Sequence, residues 1–346
     1  MPSFNLVDRG WIPCTRTDGE VGEYGLEYVL SQAHDILEIS APSPLVTVAV
    51  HRLLLAILHR NFGPRDMAHW SELWQKKRWD SERLSSYFGD WHDRFDLFHP
   101  QRPFYQVLEM QDTRRHPATL LALEAASLNN ATLFDHSVDE DRKPLQASEA
   151  ARYLVARQSF SIGGGKSKPF NLSDSPLIRG VNVLALGDNL FETLALNLLP
   201  YSSDYPIPGT AQDAPAWEQN EPRQPDREGS VPYGYLDYLT WQSRRIHLFP
   251  ERGSDQIRTC QIQQNLKLGE STVVDPFKCY TVPKDKKRGR EELGLSSERA
   301  MWRDSHALFQ EVPGQSSRPE LANWLARVER VRRDGEIEAR AGYRIS

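Results

Sequence analysis

Ser43-Pro44-Leu45-Val46-Thr47-Val48-Ala49-Val50-His51-Arg52-Leu53-Leu54-Leu55-Ala56-Ile57-Leu58, with Gly63-Pro64 a few residues on, is the stretch that decides how this 346-residue chain folds. Ser43 stands where a helix cap is wanted, and Pro44 suits the first helical position because the N–H it lacks would have no helical acceptor there. Leu45, Val48, Leu55 and Leu58 supply buried positions, and Gly63-Pro64 stops the helix. A helix this apolar belongs in a core. The run from Leu45 to Leu58 is too short to span a bilayer and carries His51 and Arg52, so membrane insertion is not expected.

On the N-terminal side, residues 4–30 read as short strands around the turn signal Thr17-Asp18-Gly19. On the C-terminal side, spacing predicts helices over 66–79, with Trp70, Leu73 and Trp74 near one face, and over 81–97, with Leu84, Phe88, Trp91 and Phe95. These aromatics read as packing. The polar stretch Asn129 to Lys143, which includes Asp139-Glu140-Asp141-Arg142-Lys143, reads as an exposed loop. A helix over 147–159 leads into Ser161-Ile162-Gly163-Gly164-Gly165-Lys166-Ser167. Asp188 is expected to cap a helix carrying Leu190, Phe191, Leu194 and Leu198 that ends near Pro200.

From Tyr201 to Gly234, frequent Pro, Gly, Asp and Gln predict a long structured loop. Residues 235–249 and 256–268 alternate enough to predict antiparallel strands, and helices return at 297–310 and 319–332. With no βαβ rhythm and no internal repeat, the expected class is α+β: a large irregular mixed domain of helices and short antiparallel sheets. Residues 1–200 are expected to be mainly helical and 201–346 richer in strand and loop.

A hydrophobic content of 39% is ample for a core. The formal net charge of -5 gives no global attraction to nucleic acid, so any DNA contact must come from local basic clusters. Cys14, Cys260 and Cys279 form no CxxC, which points away from a disulfide framework or a zinc site and fits a reducing cytoplasm. Met1 to Asn5 lack the basic region and apolar core of a secretory signal.

Three consecutive glycines, Gly163, Gly164 and Gly165, let a ligand approach backbone amides, and Lys166-Ser167 makes the segment resemble a phosphate loop. That motif needs glycine five residues before Gly165, where Phe160 stands, and it needs a strand before and a helix after. A nucleotide-binding enzyme, a plain turn and a nucleic-acid-facing loop all stay open on the residues alone. Lys284, Lys286, Lys287, Arg288 and Arg290 concentrate positive charge and read as a solvated loop or as phosphate contacts. His92, His99, His116 and His136 belong to no catalytic or metal-ligating pattern, and HExxH and GxSxG do not occur. No enzyme, cofactor or metal is expected.

Six segments follow one another: Phe4-Asn5-Leu6-Val7-Asp8 with Trp11-Ile12-Pro13; His99-Pro100 with Arg102-Pro103-Phe104-Tyr105-Gln106; Asn130-Ala131-Thr132-Leu133-Phe134-Asp135-His136; the triple glycine with Lys166-Ser167; Pro215-Ala216-Trp217-Glu218; and Trp302-Arg303-Asp304 with His306-Ala307-Leu308. In this order the chain resembles the CasA family, the large subunit of the type I-E CRISPR Cascade surveillance complex. The resemblance implies a non-catalytic subunit at the foot of a crRNA-guided complex. It would read the protospacer-adjacent motif in double-stranded DNA while guide pairing reads the rest. In this family the motif is read mainly from the minor groove, whose degenerate pattern tolerates several flanking sequences. The implied partners are the DNA target, the crRNA-containing Cascade subunits and a helicase-nuclease effector; a purely structural subunit is the other reading.

By the same resemblance, Gly163, Gly164, Gly165 and Lys166 form the family's glycine loop. Asn130, Thr132 and Phe134 belong to the loop that contacts the flanking region and the handle end of the guide complex, core packing being the other reading of Phe134. The family's motif-contacting lysine has no counterpart in Pro250 to Arg258, where Arg252 or Arg258 would substitute, and Lys284 to Arg290 add candidate basic contacts. The glutamine wedge expected after Gly342-Tyr343-Arg344, the C-terminal helical bundle and the cysteine cluster of some relatives are all missing. The chain therefore reads as the family's large N-terminal domain, either truncated or naturally short.

Overall fold

In the computed structural model, Thr17-Asp18-Gly19, with Gly19 at φ 89°, turns β1 (Ile12–Arg16) back onto β2 (Val21–Tyr24). The structure describes residues 3–111, 113–123, 144–163, 173–200, 209–269, 274–281, 291–293, 316–317, 319–333 and 344–345. After α1 (Leu26–Ser31), β3 (Ile36–Ile39) adds to β1 on its other side, giving the antiparallel order β2-β1-β3.

α2 (Pro44–Phe62) begins with Pro44 and ends at Gly63, as its punctuation predicts, but Ser43, extended at the N-cap position, makes no side-chain capping hydrogen bond. It runs to Phe62 rather than Leu58, and its 19 residues are long and apolar enough to cross a membrane, which corrects the expectation that it is too short. Most of it lies buried inside the protein, where Val50, Leu54, Ile57 and Leu58 have no exposure. Arg52, in its middle, donates to Asp275 Oδ2 at 2.9 Å, and Tyr238 Oη donates to the same oxygen at 3.0 Å. A buried cation is tolerated there because a buried carboxylate faces it.

Asp66 and Asp80 cap α3 (Met67–Gln75) and α4 (Ser81–Trp91) by accepting from the His69 and Arg83 backbone N–H groups. β4 (His116–Pro117), α5 (Ala147–Phe160) and β5 (Ala185–Leu186) follow. α6 (Leu190–Leu196) is capped by Asn189, not Asp188: Asn189 is extended and its side chain accepts from the Glu192 N–H at 2.9 Å, while Asp188 stands one residue too far out.

α7 (Tyr235–Leu239) occupies residues expected to be strand. Its reason is non-local, because the Asp213 carboxylate accepts from the Leu236 and Asp237 N–H groups and satisfies the start of the helix from more than twenty residues away. The expected hairpin then follows as β6 (Arg244–Pro250) and β7 (Ile257–Gln264). The short β8 (Tyr280–Thr281), β9 (Glu291–Glu292) and β10 (Ser316–Ser317) form a second sheet in the order β10-β8-β9. α8 (Glu320–Arg333) matches the last expected helix, and β11 (Arg344–Ile345) pairs with β5. The helix expected over 297–310 lies outside the described residues.

One hydrophobic cluster extends from Phe4 to Val328. Trp70 stacks on Trp74 and meets Trp324 edge-on, each pair 5.3 Å between ring centres. Both indole N–H groups that face α6 are satisfied, Trp70 by the Ala195 carbonyl and Trp324 by the Leu196 carbonyl. α8 is thereby locked to helices formed more than a hundred residues earlier. The overall class is the expected one, helices mixed with short antiparallel sheets.

Candidate nucleic-acid interface

The candidate site is framed by the antiparallel sheet β4-β7-β6, in which Ile246 faces Ile262 and Phe249 faces Thr259. At about 3.3 Å per residue, the seven residues of β6 span roughly 20 Å, and this length separates two groups of candidate residues.

At the start of β6, Arg244 is 4% exposed and gathers both ends of the glycine segment. Its guanidinium donates to the carbonyls of Ser243, Ser161, Ile162 and Ser173 at 2.7, 3.3, 3.0 and 3.0 Å. The Ser175 N–H donates to the Ser161 carbonyl and the Leu177 N–H to the Ser159 carbonyl, both at 2.9 Å, so the two ends run side by side. Gln158 fixes Arg244 in turn, exchanging hydrogen bonds with its backbone N–H and carbonyl. Burial and the nearby Arg157 charge lower the Arg244 pKa to about 10, which leaves it fully charged at neutral pH.

Gly163 sits in this clamp, its N–H donating to Asp174 Oδ1 at 2.7 Å. A Cβ added to Gly163 would stand 2.6 Å from the Ser173 carbonyl carbon, so glycine is needed here by the chain's own close approach. Burial raises the Asp174 carboxyl, but the Gly163 N–H and the Arg179 guanidinium outweigh it and hold it below its usual value. α5 leads directly into the glycines, where a phosphate loop would have a strand.

At the other end of β6, the Glu251 N–H donates to the Gln256 carbonyl at 2.8 Å and Gly253, at φ 73°, completes the turn into β7. Arg252 is exposed, and Arg258 donates to Glu251 Oε1 at 2.7 Å on the surface. The segment 124–143 is attached at this same end. His116 and Pro117, just before it, pair with Cys260 and Thr259, while Leu145, just after it, exchanges backbone hydrogen bonds with Ile257 at 2.9 and 2.8 Å.

The structure thus brings Arg252, Arg258 and the roots of the segment containing Asn130, Thr132 and Phe134 to one end of the hairpin, and puts Gly163 at the other. Asn130, Thr132, Phe134, Gly164, Gly165, Lys166, Lys284, Lys286, Lys287, Arg288 and Arg290 themselves lie outside the described residues. The residues that sequence reasoning missed are Arg244, Gln158 and Asp174. The signal for them is faint: the charged pair Arg244-Arg245 opening a strand, and serines at 159, 161, 173, 175 and 243.

The resemblance segments that fall on described residues have packing roles. The Phe4 carbonyl accepts from the Leu97 N–H, and Asp96 accepts from the Phe104 N–H through its backbone carbonyl. Trp217 lies 5.2 Å from Phe95 and 6.4 Å from Phe104, and Glu218 receives Arg60 at 2.8 Å and Tyr87 Oη at 2.7 Å. Among the described residues no group of three or more His, Cys, Asp or Glu could hold a metal ion. Burial pushes the Cys14 and Cys260 thiols up to about 12 and Cys279 up to about 11, so none is a ready nucleophile.

A family model described as CRISPR-associated protein Cse1 matches residues 5–343. A curated relative from Thermus thermophilus, named CRISPR-associated protein CasA/Cse1, is 35% identical over 98% of this chain; the chain spans 65% of that relative's length. The solved structure of Thermus thermophilus CasA (Cse1) superposes with a TM-score of 0.81 at 30% identity, covering 99% of this chain and 70% of that one. A chain in a solved structure titled CRISPR RNA-guided surveillance complex gives a TM-score of 0.81 at 26% identity, covering 93% of this chain and 68% of its own.

Proposed function

Because this chain belongs to the Cse1 family of CRISPR-associated proteins, we propose that it is the DNA-recognition part of a crRNA-guided Cascade surveillance complex. It acts without chemistry of its own, as one large domain, in the cytoplasm where such a complex meets foreign DNA. Its task is to read the short motif flanking a target from the minor groove, to help guide pairing begin, and to present a surface to the helicase-nuclease that degrades the target. The observation that carries this reading is the match over residues 5–343, since it spans the glycine segment and the Asn130 to Phe134 segment together.

The clamp around Gly163 supports the reading. A loop whose roots are held by buried Arg244 can offer backbone amides to a groove without losing its position, because the ordering cost is met within the fold. Gly164, Gly165 and Lys166 then make the approach to the flanking base pairs. The β6–β7 turn, with Arg252 and Arg258, and the run Lys284, Lys286, Lys287, Arg288 and Arg290 supply phosphate contacts that position the duplex without reading it. Asn130, Thr132 and Phe134 face the handle end of the guide complex. A gel-shift titration of the assembled complex tests the glycine loop. Gly164→Asp is expected to weaken binding to flanked targets about tenfold more than to unflanked DNA, and equal losses on both would refute the assignment.

A further inference from the structure

A cleft of about 640 Å³ opens between residues 101–109 and residues 216–224, within the range of roughly 300–1,000 Å³ common to ligand sites. Arg94, Arg102, Arg223 and Arg245 line it. Arg223 has a counter-charge, donating to Asp237 Oδ2 at 2.6 Å. The other three have no carboxylate within ion-pair distance among the described residues. Arg245, only 6% exposed, donates to the neutral oxygens Asn265 Oδ1 at 3.2 Å and Gln224 Oε1 at 2.8 Å. Arg94 donates to Asn220 Oδ1 at 3.4 Å.

Guanidinium groups keep their proton under all physiological conditions, so this wall stays positive. Burial and the neighbouring Arg102 charge both disfavour the charged form of Arg94, and burial disfavours that of Arg245. An entering anion would relieve both. Tyr105, also on the wall, holds φ at 54°, a left-handed conformation that a bulky residue adopts only when its surroundings impose it and that gathers at functional sites. Two of the segments that carry the family resemblance, Arg102 to Gln106 and Pro215 to Glu218, contribute to this wall in addition to their packing.

We infer that the cleft is a second nucleic-acid site, which takes the phosphodiester backbone of a single-stranded segment. Guanidinium forks match phosphate oxygens two at a time, and amide side chains such as Gln101 and Gln242 offer the donors and acceptors that unpaired base edges require. A flexible strand can follow such a concavity, whereas a duplex presents its phosphates on a convex, rigid surface. The exposed Glu109 and Glu221, also in the lining, set the sign of a control: they oppose an anion, so their neutralisation must favour it. The inference is independent of flank reading, which concerns duplex DNA and other residues.

The test is fluorescence anisotropy of labelled eight-nucleotide single strands, one DNA and one RNA, titrated with the full chain over a salt series. Circular dichroism shows that each variant is folded. Arg94→Gln with Arg102→Gln is expected to weaken binding about tenfold and to flatten the salt slope by roughly 1.4, about 0.7 for each lost phosphate contact. Glu109→Gln with Glu221→Gln is expected to tighten binding, and Lys76→Gln with Arg78→Gln, exposed positions outside the cleft, to leave it unchanged. Tighter RNA than DNA binding would add the ribose hydroxyl to what the cleft reads, and equal binding would limit it to the phosphodiester. The inference fails if the folded wild-type chain binds neither strand, or if losing Arg94 and Arg102 changes nothing. It fails equally if a poly-glutamate peptide binds in an arginine-dependent way while the strands do not, which would make this an acidic-peptide site.

Discussion

Gly163 and Arg244 close the same loop by opposite means, one by taking no space and the other by filling it with donors. Gly163→Ala puts a methyl group 2.6 Å from the Ser173 backbone, and overpacking of this kind costs about 1–3 kcal/mol, to be read as a lowered Tm. Arg244→Met withdraws a donor from the carbonyls of Ser161, Ile162 and Ser173 at once, and a loss of about 3 kcal/mol or more in urea unfolding is expected. Arg244→Lys should recover little of it, because a point ammonium cannot reach acceptors spread around a planar fork. On α2, burial lowers the pKa of both His51 and His59, the latter to about 3. Below about pH 6.5 the unfolded chain takes up protons that these folded histidines refuse, so stability is full above that pH and falls as pH drops towards 3. Each histidine contributes a slope of up to about 1.4 kcal/mol per pH unit. His59→Gln should flatten the decline between pH 6.5 and 5, and an unchanged slope would contradict its neutral burial.

Among the elements, the β6–β7 hairpin is the one that carries candidate contacts at both ends. Its tip should be dispensable for folding, since an exposed pair such as Arg258–Glu251 is worth little. Arg252→Gln with Arg258→Gln is therefore expected to leave Tm within a degree or two while reducing the salt slope of duplex binding by about 0.9 per lost phosphate contact; a large drop in Tm would assign these arginines to structure instead. The hairpin was legible from its alternating residues, as α3, α4, α5 and α8 were from their apolar spacing and α2 from its flanking proline and glycine. What stayed hidden has partners distant in sequence. α7 starts on a carboxylate supplied by Asp213, β4 and β5 are two-residue strands defined only by what they pair with, and the Arg244 clamp draws its acceptors from residues 161–173. Local periodicity carries no trace of such contacts. The candidate site was legible only through its glycines and basic residues, not through the frame that spaces them.

At the scale of the whole molecule, one core joins the N-terminal sheet to α8, so the two ends of the hairpin sit at a fixed separation of roughly 20 Å and report on a nucleic acid as a single body. A net charge of -5 means that binding must be local and sensitive to where the basic groups lie, not a general attraction. Trp324→Ala probes this unity, because it removes the indole that bridges α8 to Trp70 and Leu196; a loss of about 3–5 kcal/mol is expected in a single cooperative transition, whereas two separated transitions would show that the chain is not one body. The most direct measurement of the functional claim is a salt-series titration of the surveillance complex, reconstituted with and without this chain, against targets that carry or lack candidate flanking motifs. The account predicts tighter binding of flanked targets only when the chain is present; equal binding of both targets, with and without it, would contradict it.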